Sequence, residues 1–390
     1  MPSQRAARSY RAAMIEQIAI FMKTLILSMF AVASVSHAIA QDSTANGAVS
    51  PGNASPFAVS AYVESYYVQD FRKTDNHTLP GFIYNHNRTG EVNLNLAFLK
   101  GSYTSDRVRA NLALAAGTYM NANYAAEPGV LKNVFEANAG VKISKNHNLW
   151  IDAGIMPSHI GFESAIGKDN WALTRSLVAE NTPYFETGLK LGYTTTDSKW
   201  YLSAMYLNGW QRIQRVDGNG TPAFGTQVTF KPNAAVTLNY STFIGSDKPD
   251  STRRMRYYHN IYGVFQLSDK WGLTTGFDIG SEQKAKGSGA YNTVFVPVTI
   301  LRFSPSSKVN IAARGEYYHD KNGVIIATGT DNGFQTFGSS LNFDYQIAPQ
   351  VMWRIEARNL KSRDAIFAKD GDHLVKNKTY ITTALTFSLN

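Results

Sequence analysis

The feature that most limits this chain is a two-residue alternation of apolar and polar side chains that starts near Phe57 and returns again and again to residue 389. That period belongs to strands whose two faces meet different surroundings. Sixteen such segments lie near 57–70, 91–103, 107–120, 133–144, 148–157, 183–195, 199–211, 223–231, 235–245, 256–267, 270–282, 291–304, 308–319, 334–346, 350–362 and 378–389. The connections between them alternate in length. Tight polar turns such as Thr104-Ser105-Asp106, Lys145-Asn146-His147 and Thr196-Asp197-Ser198 take turns with long stretches near 71–90, 121–132, 158–182, 212–222, 246–255, 283–290, 320–333 and 363–377. A sandwich, with strands of about 5–6 residues, has no reason to produce this regularity. A transmembrane barrel does, with short turns on one rim and long loops on the other. The expected fold is all-β: a single antiparallel barrel over residues 57–390 with about sixteen strands, within a range of about 14–18.

The faces can be assigned from the same alternation. Val108, Ala110, Leu112, Leu114 and Ala116 oppose Arg107, Arg109 and Asn111, while Val92, Leu94, Leu96 and Phe98 oppose Glu91, Asn93 and Asn95. Val309, Ile311 and Ala313 oppose Asn310, Arg314 and Glu316, and Val351, Trp353, Ile355 and Ala357 oppose Arg354, Glu356 and Arg358. A mid-membrane Arg or Lys turned to lipid costs about 2–4 kcal/mol, so the charged rows are expected to face a wet interior. Leu112, Leu114, Ile311, Trp353, Ile355, Leu385 and Phe387 are accordingly expected on the lipid side. The lumenal charges are Glu64, Glu91, Arg107, Arg109, Glu136, Lys142, Asp152, Glu186, Lys190, Asp278, Arg314, Glu316, Arg354, Glu356 and Arg358. Seven are basic and eight acidic, which predicts pairing across the wall and weak ion selectivity.

Composition narrows the alternatives. Beyond the N-terminus no apolar run approaches the ~20 residues of a membrane helix, so a membrane span has to be built from strands. The 21 Tyr, 21 Phe and 6 Trp suit aromatic girdles at the two interfaces. With no cysteine, disulfides, thiolate metal sites and cysteine nucleophiles are excluded. The net charge of +9 is dispersed rather than clustered, which argues against nucleic acid and suits anionic solutes or lipopolysaccharide phosphates. Met22-Lys23, an apolar run and Ala38-Ile39-Ala40 read as a secretory signal peptide ending at residue 40, with Met22 as the start. Residues 41–56, rich in Ser, Ala, Asn and Gly, read as a disordered lead-in. The histidines past the leader are scattered without metal-ligand spacing, and no nucleophile elbow or phosphate-binding glycine loop occurs. No cofactor, metal or catalytic residue is expected.

The longest ordered interruption is 158–182, flanked by Pro157 and Pro183. The run GIMPSHIGFESAIGKDNWALTRSLVAENTPYFETGLKLGY from Gly154 to Tyr193, with WYLSAMYLNGWQRI from Trp200 to Ile213, resembles the OmpL-like beta-barrel porin-2 family of Gram-negative outer membranes. The resemblance extends over nearly all of the chain after residue 56 and implies an outer-membrane pore without catalytic residues. By architectural analogy with general porins, the third long loop is expected to fold inward, with Glu163, Lys168, Asp169, Arg175 and Glu180 at a constriction. The alternative is an exposed lid packed on lipopolysaccharide. Within the loop, Asp169 to Ala179 has helical spacing. The last strand, ending Leu385-Thr386-Phe387-Ser388-Leu389-Asn390, resembles the C-terminal signal read by barrel-assembly machinery.

These readings converge on a porin exported to the outer membrane, passing small hydrophilic solutes by passive diffusion, in contact with outer-membrane lipid and lipopolysaccharide. A homotrimer is open. A non-conducting surface receptor or structural barrel that binds a partner through its loops is the alternative, and a barrel-borne hydrolase has no motif in its favour.

Overall fold

A computed structural model describes residues 55–72, 76–369 and 373–389. The signal peptide, the Met22 start, the lead-in up to residue 54 and Asn390 lie outside the described residues. The alternating segments form strands β1 (Phe57–Asp70), β2 (Val92–Thr104), β3 (Val108–Ala116), β4 (Val134–Lys142), β5 (Asn148–Pro157), β6 (Phe185–Thr194), β7 (Trp200–Leu207) and β8 (Ala223–Asn233). They continue as β9 (Val236–Gly245), β10 (Arg256–Gln266), β11 (Trp271–Gln283), β12 (Tyr291–Ser306), β13 (Val309–Asp320), β14 (Phe334–Ala348) and β15 (Val351–Ser362). Two short strands, β16 (Phe367–Lys369) and β17 (His373–Val375), make a hairpin inside the last long connection, before β18 (Asn377–Leu389). Every barrel strand pairs with its chain neighbours, and β18 closes on β1 from Ala61 opposite Leu389 to Asp70 opposite Tyr380. The result is a closed antiparallel barrel of sixteen strands with no free edge.

The alternation settles which way side chains point. Along β15, Arg354, Glu356 and Arg358 are buried while Ala357 is exposed and Trp353 and Ile355 are half-buried. Along β3, Leu112, Leu114 and Ala116 are exposed, with Ala113 and Ala115 buried between them. Aromatic pairs collect beside the short turns. Trp200 stacks on Phe230 at 4.1 Å, and Trp271 lies 4.6 Å from Phe303, which is where amphipathic rings match a membrane interface.

One strand departs from the expected facing. Glu64 pairs with Leu96 and Ser65 with Leu94, so Asn95 is an extra residue and β2 is bulged there. Past the bulge the side-chain phase inverts: Leu96 is fully buried and Phe98 stacks inward on Tyr62, while Leu99 is exposed. Leu96 and Phe98 therefore do not belong to the lipid face. The extra residue is held by its own hydrogen bonds: Asn95 Oδ1 accepts from His86 N at 2.9 Å and Nδ2 donates to Glu64 Oε1 at 3.3 Å. A second departure follows β3, which stops at Ala116. Gly117 takes φ 130° and opens a short helix, α1 (Thr118–Asn123), where the alternation had predicted strand to residue 120.

At the long-loop end the interior is packed. Leu79 and Ile83 of the first long loop, Leu173, Leu177 and Val178 of the third, and Val324, Ile326 and Phe367 of the last two join one apolar cluster. It rests on an inward row of β12, Val294, Val296, Val298 and Ile300. Burial worth about 1.5–3 kcal/mol for each such side chain fixes these loops together.

Candidate functional site in the barrel interior

The 158–182 segment leaves β5 at Pro157 and returns at β6, with Ser158 N donating to Tyr184 O at 3.0 Å across its base. From there it enters the barrel, and its rings fill positions where the wall has glycine. His159 lies over Gly225, Phe162 over Gly276 and Trp171 over Gly272; a Cβ on those glycines would stand 2.6, 2.9 and 2.7 Å from the respective rings. The sockets are reinforced by polar contacts. Ser241 Oγ donates to His159 O at 2.7 Å, Gly161 N donates to Asn260 Oδ1 at 3.1 Å, and the Arg302 guanidinium sits 4.2 Å over the Trp171 ring.

The loop then runs on along the wall, where the charged rows of β13 and β15, with Asn342 of β14 between them, receive its backbone. Leu173 N donates to Asn342 Oδ1 at 3.0 Å and Thr174 N to Glu356 Oε2 at 2.6 Å. Leu177 N donates to Glu316. In the other direction Arg314 donates to Thr174 O at 2.6 Å, Arg358 to Arg175 O at 2.8 Å, and Arg354 to Gly167 O at 2.6 Å and Asn170 O at 2.9 Å. This explains why the helical spacing of Asp169 to Ala179 is not realised. The amides that a helix would turn on itself go to wall side chains, and only a single turn, α2 (Leu177–Glu180), forms, capped by Ser176.

The five loop charges divide by role. Arg175 is fully buried and donates to the carbonyls of Ser164, Ala165 and Leu173. Glu163 accepts from Ser176 and lies 3.8 Å from Arg314, its side chain 3 % exposed. Glu180 accepts from Tyr84 N at 2.9 Å and Asn85 N at 3.1 Å, tying the third loop to the first. Arg175 and Glu180 hold the loop rather than face open space, Glu163 holds it at the edge of a cavity, and Lys168 is half-buried and Asp169 exposed. Burial pushes the Glu180 carboxyl up to about 7 against the pull of those amides, raises Glu163 against the pull of Arg314, and depresses His159 to about 4.

Of the remaining charges, Glu136, Asp152, Glu186, Asp278, Arg314, Glu316, Arg354, Glu356 and Arg358 are buried inside the wall. Arg109, Lys142 and Lys190 are partly exposed on the same inward rows. Glu64 is buried against His86, and Glu91, half-buried at the first long loop, pairs with Arg88 at 2.7 Å. Arg107 stands apart. It is exposed in the β2–β3 turn, because Ser105 bonds Val108 through both backbone and side chain and starts the strand one residue later. Cross-strand ion pairs join Arg314 to Glu356 at 3.0 Å, Arg358 to Glu316 at 2.6 Å, Arg109 to Asp152 at 2.6 Å and Arg354 to Asp344 at 2.7 Å. Of the residues assigned to lipid, Leu112, Leu114, Leu385 and Phe387 are exposed, and Ile311, Trp353 and Ile355 half-buried on outward rows.

Sequence reasoning missed several interior residues. Asp344 alternates with Ser340 and Asn342, so its facing was readable. Lys100, which pairs with Glu136 at 2.6 Å, comes after the bulge and gave no such signal. The glycine sockets look in sequence like any strand glycine.

Between the loop and the inner faces of β2 and β4 a cavity of about 330 Å³ remains, bordered by Phe98, Lys100, Phe135 and Glu136 on the wall and by Ile160 to Ile166 on the loop. A second space of about 690 Å³ opens among the first, seventh and eighth long loops.

The family model described as "Putative beta-barrel porin-2, OmpL-like" matches residues 56–389. No curated protein matches the sequence. Among solved structures the fold is similar to an anion-selective porin from Comamonas acidovorans, with TM-score 0.57 and 9 % identity over 85 % of this chain and 99 % of that one. It is also similar to the trimer form of OmpT of Vibrio cholerae, with TM-score 0.57 and 10 % identity over 85 % and 99 %. The third is OprB of Pseudomonas putida, with TM-score 0.55 and 10 % identity over 85 % and 94 %. At such identities the likeness concerns the fold.

Proposed function

Because the chain belongs to the OmpL-like beta-barrel porin-2 family, we propose that this outer-membrane barrel is a porin through which small hydrophilic solutes diffuse passively, with no chemistry performed on them. The observation that carries the reading is the asymmetric interior. The inward loop is bonded to the walls of β9 to β15 and leaves a polar-edged cavity on the β2–β4 side. A solute passing there meets fixed charges whose partners are already close, which supports weak rather than strong ion selectivity. Constriction falls to the loop as a body, with Lys168 and Asp169 the side chains it presents, while Glu163, Arg175 and Glu180 keep it in place. Export by a cleaved signal peptide, insertion by the barrel-assembly machinery and contact with lipopolysaccharide go with this reading.

Homotrimers belong to the proposal as well. The Vibrio OmpT has a trimer form, and on this barrel small outward residues lie on neighbouring strands, with Ala110 opposite Ala139 and Ala139 opposite Ala153.

The apolar cluster that joins the long loops favours a second reading, a closed barrel that displays its loops to a partner. Planar-bilayer recording of the refolded chain separates the two. Discrete conductance steps support the porin, and a folded, heat-modifiable barrel that stays silent supports the receptor.

A further inference from the structure

The cavity beside the third loop has an apolar body and a charged edge. Phe98 and Phe135 are stacked at 5.4 Å with 11° between their planes, Tyr124 and Phe185 at 4.2 Å and 14°, and Phe162 closes the loop side. At about 330 Å³ the space sits at the small end of the range of roughly 300–1,000 Å³ typical of ligand sites, suited to one ring with a short substituent.

The edge is cationic, and burial makes it so. Lys100 is 26 % exposed while its partner Glu136 is 8 % exposed, and Glu136 has both oxygens engaged, one by Lys100 and one by Asn138 Nδ2 at 3.0 Å. An ammonium has three donors, so Lys100 can accept an incoming carboxylate without releasing Glu136. On the neighbouring inward rows Arg109 is 35 % exposed and Lys190 21 %, and both lie against the same Asp152, which is 4 % exposed. With the partly exposed Lys142 the cations here number four, set against Glu136, Asp152, Glu186 of β6 and Glu163 of the loop; the four carboxylates are all buried at the side chain, and Lys100 is the cation that lines the cavity itself. The cations reach the open side. The seven basic and eight acidic residues counted over the whole lumen hide this, because exposure and not number determines what a solute feels.

We propose that this cavity binds small ring-bearing carboxylates, the ring lying among Phe98, Phe135 and Phe162 and the carboxylate on Lys100. A neutral sugar would use the rings but leave the cations unmatched, and an aromatic amine would meet charge of its own sign. The inference deepens the porin reading, on which it rests for how the solute reaches the cavity.

The test is calorimetric titration of the full chain, refolded in detergent, with benzoate, benzylammonium, glucose and acetate. Benzoate is expected to bind about tenfold or more tighter than the other three, which lack either the charge or the ring. Lys100→Glu should weaken benzoate about tenfold or more and Phe98→Ala by several fold, since each removes one half of the recognition. Lys100→Gln, which keeps a donor beside Glu136, serves if the charge reversal fails to fold. The proposal is overturned if benzoate binds no tighter than benzylammonium and glucose, or if both Lys100 variants fold and bind it like the parent. Conductance is scored separately. A silent barrel that still prefers benzoate sinks the porin reading alone, and a conducting barrel without that preference sinks the site alone.

Discussion

Several interior charges, Glu180, Arg314, Glu316, Arg354, Glu356 and Arg358, bond loop backbone, and single substitutions should reveal which bonds matter. Glu180 is the sharpest case, because burial raises its carboxyl to about 7 while it accepts two amides of the first long loop. An unfolded glutamate titrates near 4.3, so the folded state favours the protonated form. The cost of ionising it is absent below the unfolded value, grows as pH rises through that window and is complete above about 7. Between pH 5 and pH 8 the thermal midpoint of the parent should therefore fall relative to Glu180→Gln; parallel pH profiles would contradict the assignment. Gly276 tests the sockets. A leucine there has nowhere to go but into the Phe162 ring, which would lie 2.9 Å from its Cβ, so Gly276→Leu should cost roughly 1–3 kcal/mol of stability. It should also enlarge single-channel conductance, as the loop is pushed off the wall. Unchanged conductance in a folded variant would mean that the loop does not set the bore.

Strands were legible in number and in most boundaries, since a sustained period of two has no competing explanation, but the alternation ran to 120 and 211 where β3 and β7 stop at Ala116 and Leu207. β1 and β5 begin and end where the alternation does. Loops were legible only as lengths. The path of 158–182 depends on where wall side chains place their donors and acceptors, such as Glu356 taking Thr174 N, and pairings across 182 positions leave no local pattern. The bulge was unreadable for a related reason. In Asn93-Leu94-Asn95-Leu96 the alternation looks unbroken, and only the pairing with β1 shows that one residue is supernumerary. This gives a test at the level of the strand. Deleting Asn95 removes the extra residue and forces one half of β2 to face the other way. If the half after the bulge turns, Lys100 meets lipid at about 2–4 kcal/mol and Phe98 leaves its stack with Phe135. Asn95→Ala keeps the register and forfeits the side-chain contacts to His86, Glu64 and Asn85, roughly 1–3 kcal/mol. Urea unfolding should therefore rank the deletion well below the alanine variant, and equal midpoints would refute a register-setting role for the bulge.

The outer wall of the whole barrel is uneven in a way that bears on assembly. From β2 to β5 small outward pairs recur, Ala97 facing Ala116, Ala110 facing Ala139 and Ala139 facing Ala153, among larger ones such as Leu99 facing Leu114 and Val108 facing Val141. Elsewhere Tyr206, Phe224, Tyr240, Phe277 and Phe337 stand out from the wall as exposed rings. Lipid solvates either texture, so apolarity alone does not drive barrels together. Small residues matter because they let two backbones approach closely and gain dispersion contacts that lipid tails fit less well. Three copies related by a rotation axis would each present one such face, a closed arrangement that buries the row Ala110, Ala139 and Ala153 and leaves most exposed rings to the membrane. Ala110→Trp with Ala139→Trp puts two rings in that row without touching the interior. The double variant should fold with the parent's heat-modifiable shift and conduct with the parent's unit step, yet sediment in mild detergent at one third of the parent's mass. A parent that sediments as a single barrel, or a double variant that still associates, would place the subunit contact elsewhere or remove it altogether.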